Sequence, residues 1–181
     1  MKRNIILATL LLVALFTGTS CKKEHTSPNA NFDTPATPPP GGLEGNWASG
    51  FSSMLELYDV YTGKSVGPAW QSGKAFSFTT DGKKAEFYYT FETQYTQAAT
   101  KAIGTIAFDE GSTATEGSFT FYAGWAHYNG WGTTNVNRDA SKEELSNTLT
   151  AKYYYRMDGQ WLRIQPGGPV NDYSSSFERV N

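Results

Sequence analysis

Aromatic residues in this chain recur at every second position, and the runs they form are broken at short intervals by turn dipeptides. In Lys74-Ala75-Phe76-Ser77-Phe78-Thr79 both phenylalanines fall on one face. That is the signature of a half-buried strand, because successive side chains of an extended chain point to opposite sides. Asp81-Gly82 follows, and Asp-Gly is a strong hairpin signal, since glycine accepts the positive φ that a tight turn demands. Ala85 to Phe91 then returns with Phe87, Tyr89 and Phe91 on one face. The stretches 103–108 and 117–122 read as another antiparallel pair, and 148–157, Asp158-Gly159 and 160–165 as a second Asp-Gly hairpin. A last strand is expected over 173–180. The one helical candidate is 140–145, where Asp139 or Ser141 caps the start and Glu143-Glu144 suit its positive end. With 11 Phe, 11 Tyr and 5 Trp and few helix-forming runs, the expectation is an all-β domain. It should be an antiparallel meander of about eight to ten strands, closed into a barrel or packed as a sandwich.

The meander does not begin at residue 1. Met1-Lys2-Arg3 is a short positive stretch, residues 5–16 are almost wholly apolar, and Thr17-Gly18-Thr19-Ser20 lead into Cys21. Positive, apolar and small residues in that order form a secretory signal, and an apolar run of about 12 residues is too short to cross a bilayer as a helix. Residues 1–20 are therefore expected to be the signal. Cys21 is the only cysteine, which rules out a disulfide within the chain. Its place directly after small residues resembles the lipobox of bacterial lipoproteins, with Gly18 where an apolar residue is usual. The resemblance implies that the Cys21 thiol is acylated and becomes the mature N-terminus, anchoring the protein at the outer membrane. Lys22 and Lys23 would then lie beside lipid headgroups. Residues 21–42 contain five prolines among Ser, Thr, Asn and Ala, with Phe32 as their one large apolar residue. They read as a disordered, extended tether. The barrel domain is then 43–181, long enough for one real core.

Leu43-Glu44-Gly45-Asn46-Trp47 opens the domain with a Gly-x-Trp, and Phe177-Glu178-Arg179 closes it. This pairing resembles the lipocalin-like (calycin) barrels, in which a first-strand tryptophan plugs the barrel base and an arginine from the last strand lies over its ring. The resemblance implies a barrel closed by Trp47 and Arg179, and a small apolar ligand inside it. A guanidinium over an indole is worth about 0.5–2 kcal/mol.

Catalysis has little to work with. His25 lies in the tether and His127 is the one histidine of the domain, so a histidine metal site is excluded. Asp109-Glu110, Asp139 and Glu143-Glu144 read as solvated loop charges, and Asp59-x-x-Thr62-Gly63 as a turn. Without Lys2 and Arg3 the mature chain is two units more negative than the −2 of the whole sequence, which excludes nucleic acid as a partner. The unusual segment is 123–132, where Trp125, His127, Tyr128 and Trp131 sit among glycines. Aromatics in a glycine-rich loop can stack on a sugar or another flat ligand; glycine beside tryptophan also marks a strand bending at a barrel corner. The expectation is a monomeric, membrane-tethered envelope lipoprotein, facing the periplasm or the surface. It is a non-enzyme without cofactor or metal, binding a small apolar or aromatic ligand. The alternative is an interaction or glycan-binding protein that uses the Trp125 to Trp131 segment.

Overall fold

The computed structural model describes residues 32–52, 56–58, 65–68, 70–132 and 135–180. The expected signal over residues 1–20, Cys21, Lys22, Lys23, His25 and the turn expected at Asp59, Thr62 and Gly63 lie outside them. Among the described residues eleven strands are formed: β1 (Gly45–Ser52), β2 (Glu56–Tyr58), β3 (Ser65–Pro68), β4 (Trp70–Phe78), β5 (Ala85–Thr93), β6 (Gln97–Phe108), β7 (Glu116–Trp131), β8 (Val136–Asp139), β9 (Ala151–Asp158), β10 (Trp161–Pro166) and β11 (Ser175–Val180). The main sheet runs β6-β5-β4-β1-β11-β10-β9-β7-β8, and an additional β6–β7 pairing closes it. The result is an eight-stranded antiparallel up-and-down barrel, with β8 added at the far end of β7. The β2–β3 hairpin forms a separate two-stranded sheet. Closure leaves the eight barrel strands without a long free edge, which is how a meander avoids pairing with other chains.

One end of the barrel is filled. Phe76 and Phe78 of β4, Phe119 and Phe121 of β7, Tyr155 of β9, Leu162 and Ile164 of β10 and Phe177 of β11 are all buried in one cluster. Their rings meet mostly edge-on or tilted, as the aromatic quadrupole prefers: Phe76 lies 6.0 Å from Phe119 at 83° and 5.3 Å from Tyr153 at 77°. Of the three consecutive tyrosines, Tyr153 and Tyr155 therefore point in and Tyr154 points out, as period two requires. Burial pushes the Tyr155 hydroxyl up to about 12, and it donates to the Thr113 carbonyl at 2.5 Å.

Two turns differ from the sequence expectation. Asp81-Gly82 lies inside a longer 79–84 connection, where the Asp81 carboxylate accepts from Thr79 Oγ1 and Lys83 N. In the second hairpin Asp158 still pairs with Trp161, so Gly159 and Gln160 make the turn. Gly159, at φ +65°, takes its first position. The helical candidate forms as a single turn, α1 (Lys142–Glu144), which widens into a π-helical turn over Leu145–Leu149. Ser141 is its cap: Ser141 Oγ accepts from Glu144 N at 3.2 Å while Ser141 N donates to the Glu144 carboxylate at 2.7 Å.

The proline-rich segment departs most from its composition. Residues 32–42 lie on the barrel rather than off it. Strand β6 outruns β5, whose last partner is Gly104, and this exposes the backbone of Ile106 and Phe108. Thr37 supplies the missing partners, its N–H donating to the Ile106 carbonyl at 3.0 Å and its Oγ1 accepting from Phe108 N at 2.7 Å. Thr105 Oγ1 donates to the Pro35 carbonyl at 2.6 Å, which leaves Thr105 only 1 % exposed on the barrel's outer face. Phe32 packs against Gly124, where a Cβ would fall 2.0 Å from the ring. Prolines do not prevent this, because the strap needs few N–H donors of its own.

Candidate functional site: the open mouth

Strands β6 and β7 change character along their length. Toward the filled end the inward positions hold Ile106, Phe108, Phe119 and Phe121. Toward the other end they hold Ala98 and Thr100 on β6, in register with Gly130 and Tyr128 on β7. Small side chains there leave space that the rings occupy elsewhere. The space is a cavity of about 440 Å³ bounded by β6, β7, β8 and α1, with Ala98, Thr100, Tyr128, Val136, Arg138 and Glu144 in its lining. That volume is within the range of about 300–1,000 Å³ typical of small-molecule sites.

The cavity has one polar edge. Arg138 of β8 lies over the Tyr128 ring at 5.2 Å and holds Glu144 by two hydrogen bonds, Nη1 to Oε2 at 2.8 Å and Nη2 to Oε1 at 2.7 Å. Arg138 beside it, with the Ser141 amide, holds the Glu144 carboxyl down at about 2. The Tyr128 hydroxyl is raised, chiefly by burial and then by the Glu144 charge. The clip thus ties α1 to β8 at the rim, while Leu145 and Leu149 pack against the barrel core. Chemically, the mouth offers an apolar wall, one aromatic face and a charged rim.

The four aromatic and histidine candidates do not form one site. Residues 123–131 belong to strand β7 and not to a loop. The glycine-rich spacing arises from a bulge: Ile103 pairs with Trp125 and Gly104 with Ala123, which leaves Gly124 as the extra residue. Beyond it, period two places Tyr128 on the inner face and Trp125, His127 and Trp131 on the outer face. Only Tyr128 lines the cavity. Outside, the Trp125 and His127 rings are stacked at 6.2 Å and 16°. His127 is held on both ring nitrogens, Nδ1 to Asp139 Oδ1 at 2.8 Å and Nε2 to Asn137 Oδ1 at 3.0 Å. Trp131, 47 % exposed, donates to Gln97 Oε1 at 2.9 Å.

At the filled end, the Arg179 guanidinium lies 4.7 Å over the buried Trp47 ring. It also donates to the carbonyls of Glu44, at 3.0 Å, and of Gly42. The indole N–H donates to the Leu43 carbonyl at 3.0 Å. Gly45 must be a glycine here: its φ is +112°, and a Cβ would fall 3.3 Å from Arg179 Nη1.

Sequence reasoning did not find Ala98, Thr100 or Arg138, and it read Glu144 as a helix-start, solvated charge. Alternating small residues on β6 were the available signal for a hollow, and their meaning depends on register with β7. Of the other acidic candidates, Asp109 binds Lys152 at 2.5 Å and Ser118 Oγ at 2.6 Å, and the lysine first and the serine second hold its carboxyl low. Among the described residues, no three His, Cys, Asp or Glu side chains converge on a metal position. Compared with known proteins, the chain matches no protein-family model, no curated protein and no solved structure, so its fold and its mouth carry the functional reading alone.

Proposed function

We propose that this protein is a lipocalin-like binding barrel, tethered to the envelope membrane through an acylated Cys21, that takes a small, flat, largely apolar ligand at its open mouth. The observation that carries this reading is the replacement of inward rings by Ala98, Thr100 and Gly130 where β6 and β7 flank the cavity, with Tyr128 left as its one aromatic wall. A flat ligand would stack on Tyr128 and bury its face against the alanine and threonine side, at about 25 cal/mol for each Å² of apolar surface removed from water. In this reading the protein binds and does not catalyse. It acts as a monomer at the outer membrane, without cofactor or nucleic acid.

Titration of the full chain with the neutral probe N-phenyl-1-naphthylamine tests the site. Fluorescence enhancement is expected for the native protein and should be lost in Ala98→Phe, which fills the mouth, and weakened in Tyr128→Ala. Equal enhancement in all three would rule the mouth out. The anchor is tested separately: Cys21→Ser should move the protein from the membrane to the soluble fraction.

A second reading rests on the outer face of β7, where Trp125, His127 and an exposed Trp131 share one side. Such a strip suits contact with a partner protein or a glycan. Trp131→Ala should then abolish that contact without changing probe binding at the mouth.

A further inference from the structure

A second cleft, of about 420 Å³, lies at the filled end of the barrel, where β7 begins and β9 ends. Tyr154, Arg156 and Glu116 line it from the strands, and Pro169 and Val170 line it from the β10–β11 connection. Glu116 and Arg156 are direct cross-strand partners, an arrangement in which opposite charges usually join. Here they do not. Among the described residues neither charged end makes an ion pair or hydrogen bond, and the Tyr154 hydroxyl has no hydrogen-bond partner.

Both walls are built in place. Ser112 Oγ donates to the Ser118 carbonyl at 3.0 Å and accepts from Ser118 N at 3.2 Å, which locks the β6–β7 connection onto β7. Opposite, Arg163 Nη2 donates to the Asn171 carbonyl at 2.8 Å, and Asn171 N donates to Ser174 Oγ at 2.8 Å. A cleft whose walls are already ordered loses little entropy when it is filled.

From these groups we infer that the cleft is a saccharide site, independent of the mouth, and that it takes a neutral sugar ring. One carboxylate and one guanidinium, each unengaged, balance in charge, so neither an anion nor a cation is favoured. Neighbouring hydroxyls suit them, because each can donate to Glu116 and accept from Arg156. The Tyr154 ring, which has Lys152 Nζ 5.6 Å from its centroid, and the Pro169–Val170 wall supply apolar surface for the C–H face of the sugar.

The test is titration of the full chain with cellobiose, maltose and lactose, followed by ¹H–¹⁵N NMR. At least one sugar should bind with a dissociation constant on the order of 1 mM, with shifts centred on the amides of residues 116–118 and 154–156. Tyr154→Ala and Arg156→Ala should each weaken binding about tenfold. Tyr154→Phe, which keeps the ring, should retain most of it and report that the fold is intact. Tyr128→Ala and Trp131→Ala should leave it unchanged, so the mouth and outer-strip readings stand or fall separately. The inference is overturned if none of the three sugars binds or if sugar binding survives both alanine variants. Loss of sugar binding in Tyr128→Ala or Trp131→Ala, or a response to free glycine with none to sugars, also overturns it.

Discussion

The two ends of strand β7 share one backbone and one neighbour, β6, yet they do opposite things. Near its start Phe119 and Phe121 point inward into a ring cluster, Phe119 stacking on Tyr153 at 5.3 Å and 24°. Near its end the inward positions are Tyr128 and Gly130, opposite Thr100 and Ala98, and a cavity opens. Between them sits the Gly124 bulge. A bulge bends the strand and increases its twist, and here it lies between the ring cluster and the mouth, with Ala126 just past it still in the core. Side-chain volume at matched register positions thus divides one barrel into a filled end and a hollow end.

Substitutions that exchange the two characters test this contrast most directly. Phe119→Ala should cost about 3–5 kcal/mol, since it removes a fully buried ring at the centre of the cluster. A denaturant midpoint close to the native value would break the contrast. Ala98→Phe at the other end should change stability far less, because the new ring enters existing space, while it removes probe binding.

The strap is expected to contribute next. Thr37→Val deletes the acceptor for Phe108 N and should cost about 1–3 kcal/mol, the penalty of a part-buried donor left unsatisfied. It should also speed amide exchange at Phe108. Native-like protection there would show that the strap is incidental to the filled end. Arg179→Lys keeps the charge but loses the planar stack on Trp47, and a loss of about 0.5–2 kcal/mol is expected in thermal unfolding.

The smallest effect is electrostatic and belongs to the rim of the mouth. The Glu144 carboxyl is held at about 2, below its ordinary 4.5. A depressed carboxyl stabilises the fold above its unfolded value and loses that contribution as pH falls through the folded one. The α1 clip should therefore be fully present above about pH 4.5 and be released as pH approaches about 2. NMR titration of the Glu144 side chain checks this, and Arg138→Ala should return its midpoint toward 4.5. An ordinary midpoint in the native protein would mean that the rim is not clipped.

Much of the barrel was legible in the residues. Period-two aromatics such as Phe76 and Phe78, or Phe119 and Phe121, can be satisfied only by strands with one buried face, and the short turns between them leave room only for antiparallel neighbours. Less of the site was legible. Tyr128 was found by composition, but Trp125, His127 and Trp131 were grouped with it because a bulge at Gly124 and the strand continuing past it cannot be seen in a glycine-rich run. The strap was read as tether for a similar reason: proline content predicts what residues 32–42 would do alone, not what an unpaired stretch of β6 offers them.

Local chemistry thus determined the strand period, most of the turn positions, a helix cap at Asp139 or Ser141 and which rings belong to a core. Those properties depend on neighbours one to four residues away. Tertiary structure alone decided where the barrel is hollow, which face each Trp125–Trp131 side chain takes, that Arg138 clips Glu144 over Tyr128, and that Thr37 completes β6. Each of these depends on cross-strand register, and in a closed barrel register is set by the whole circuit of strands at once.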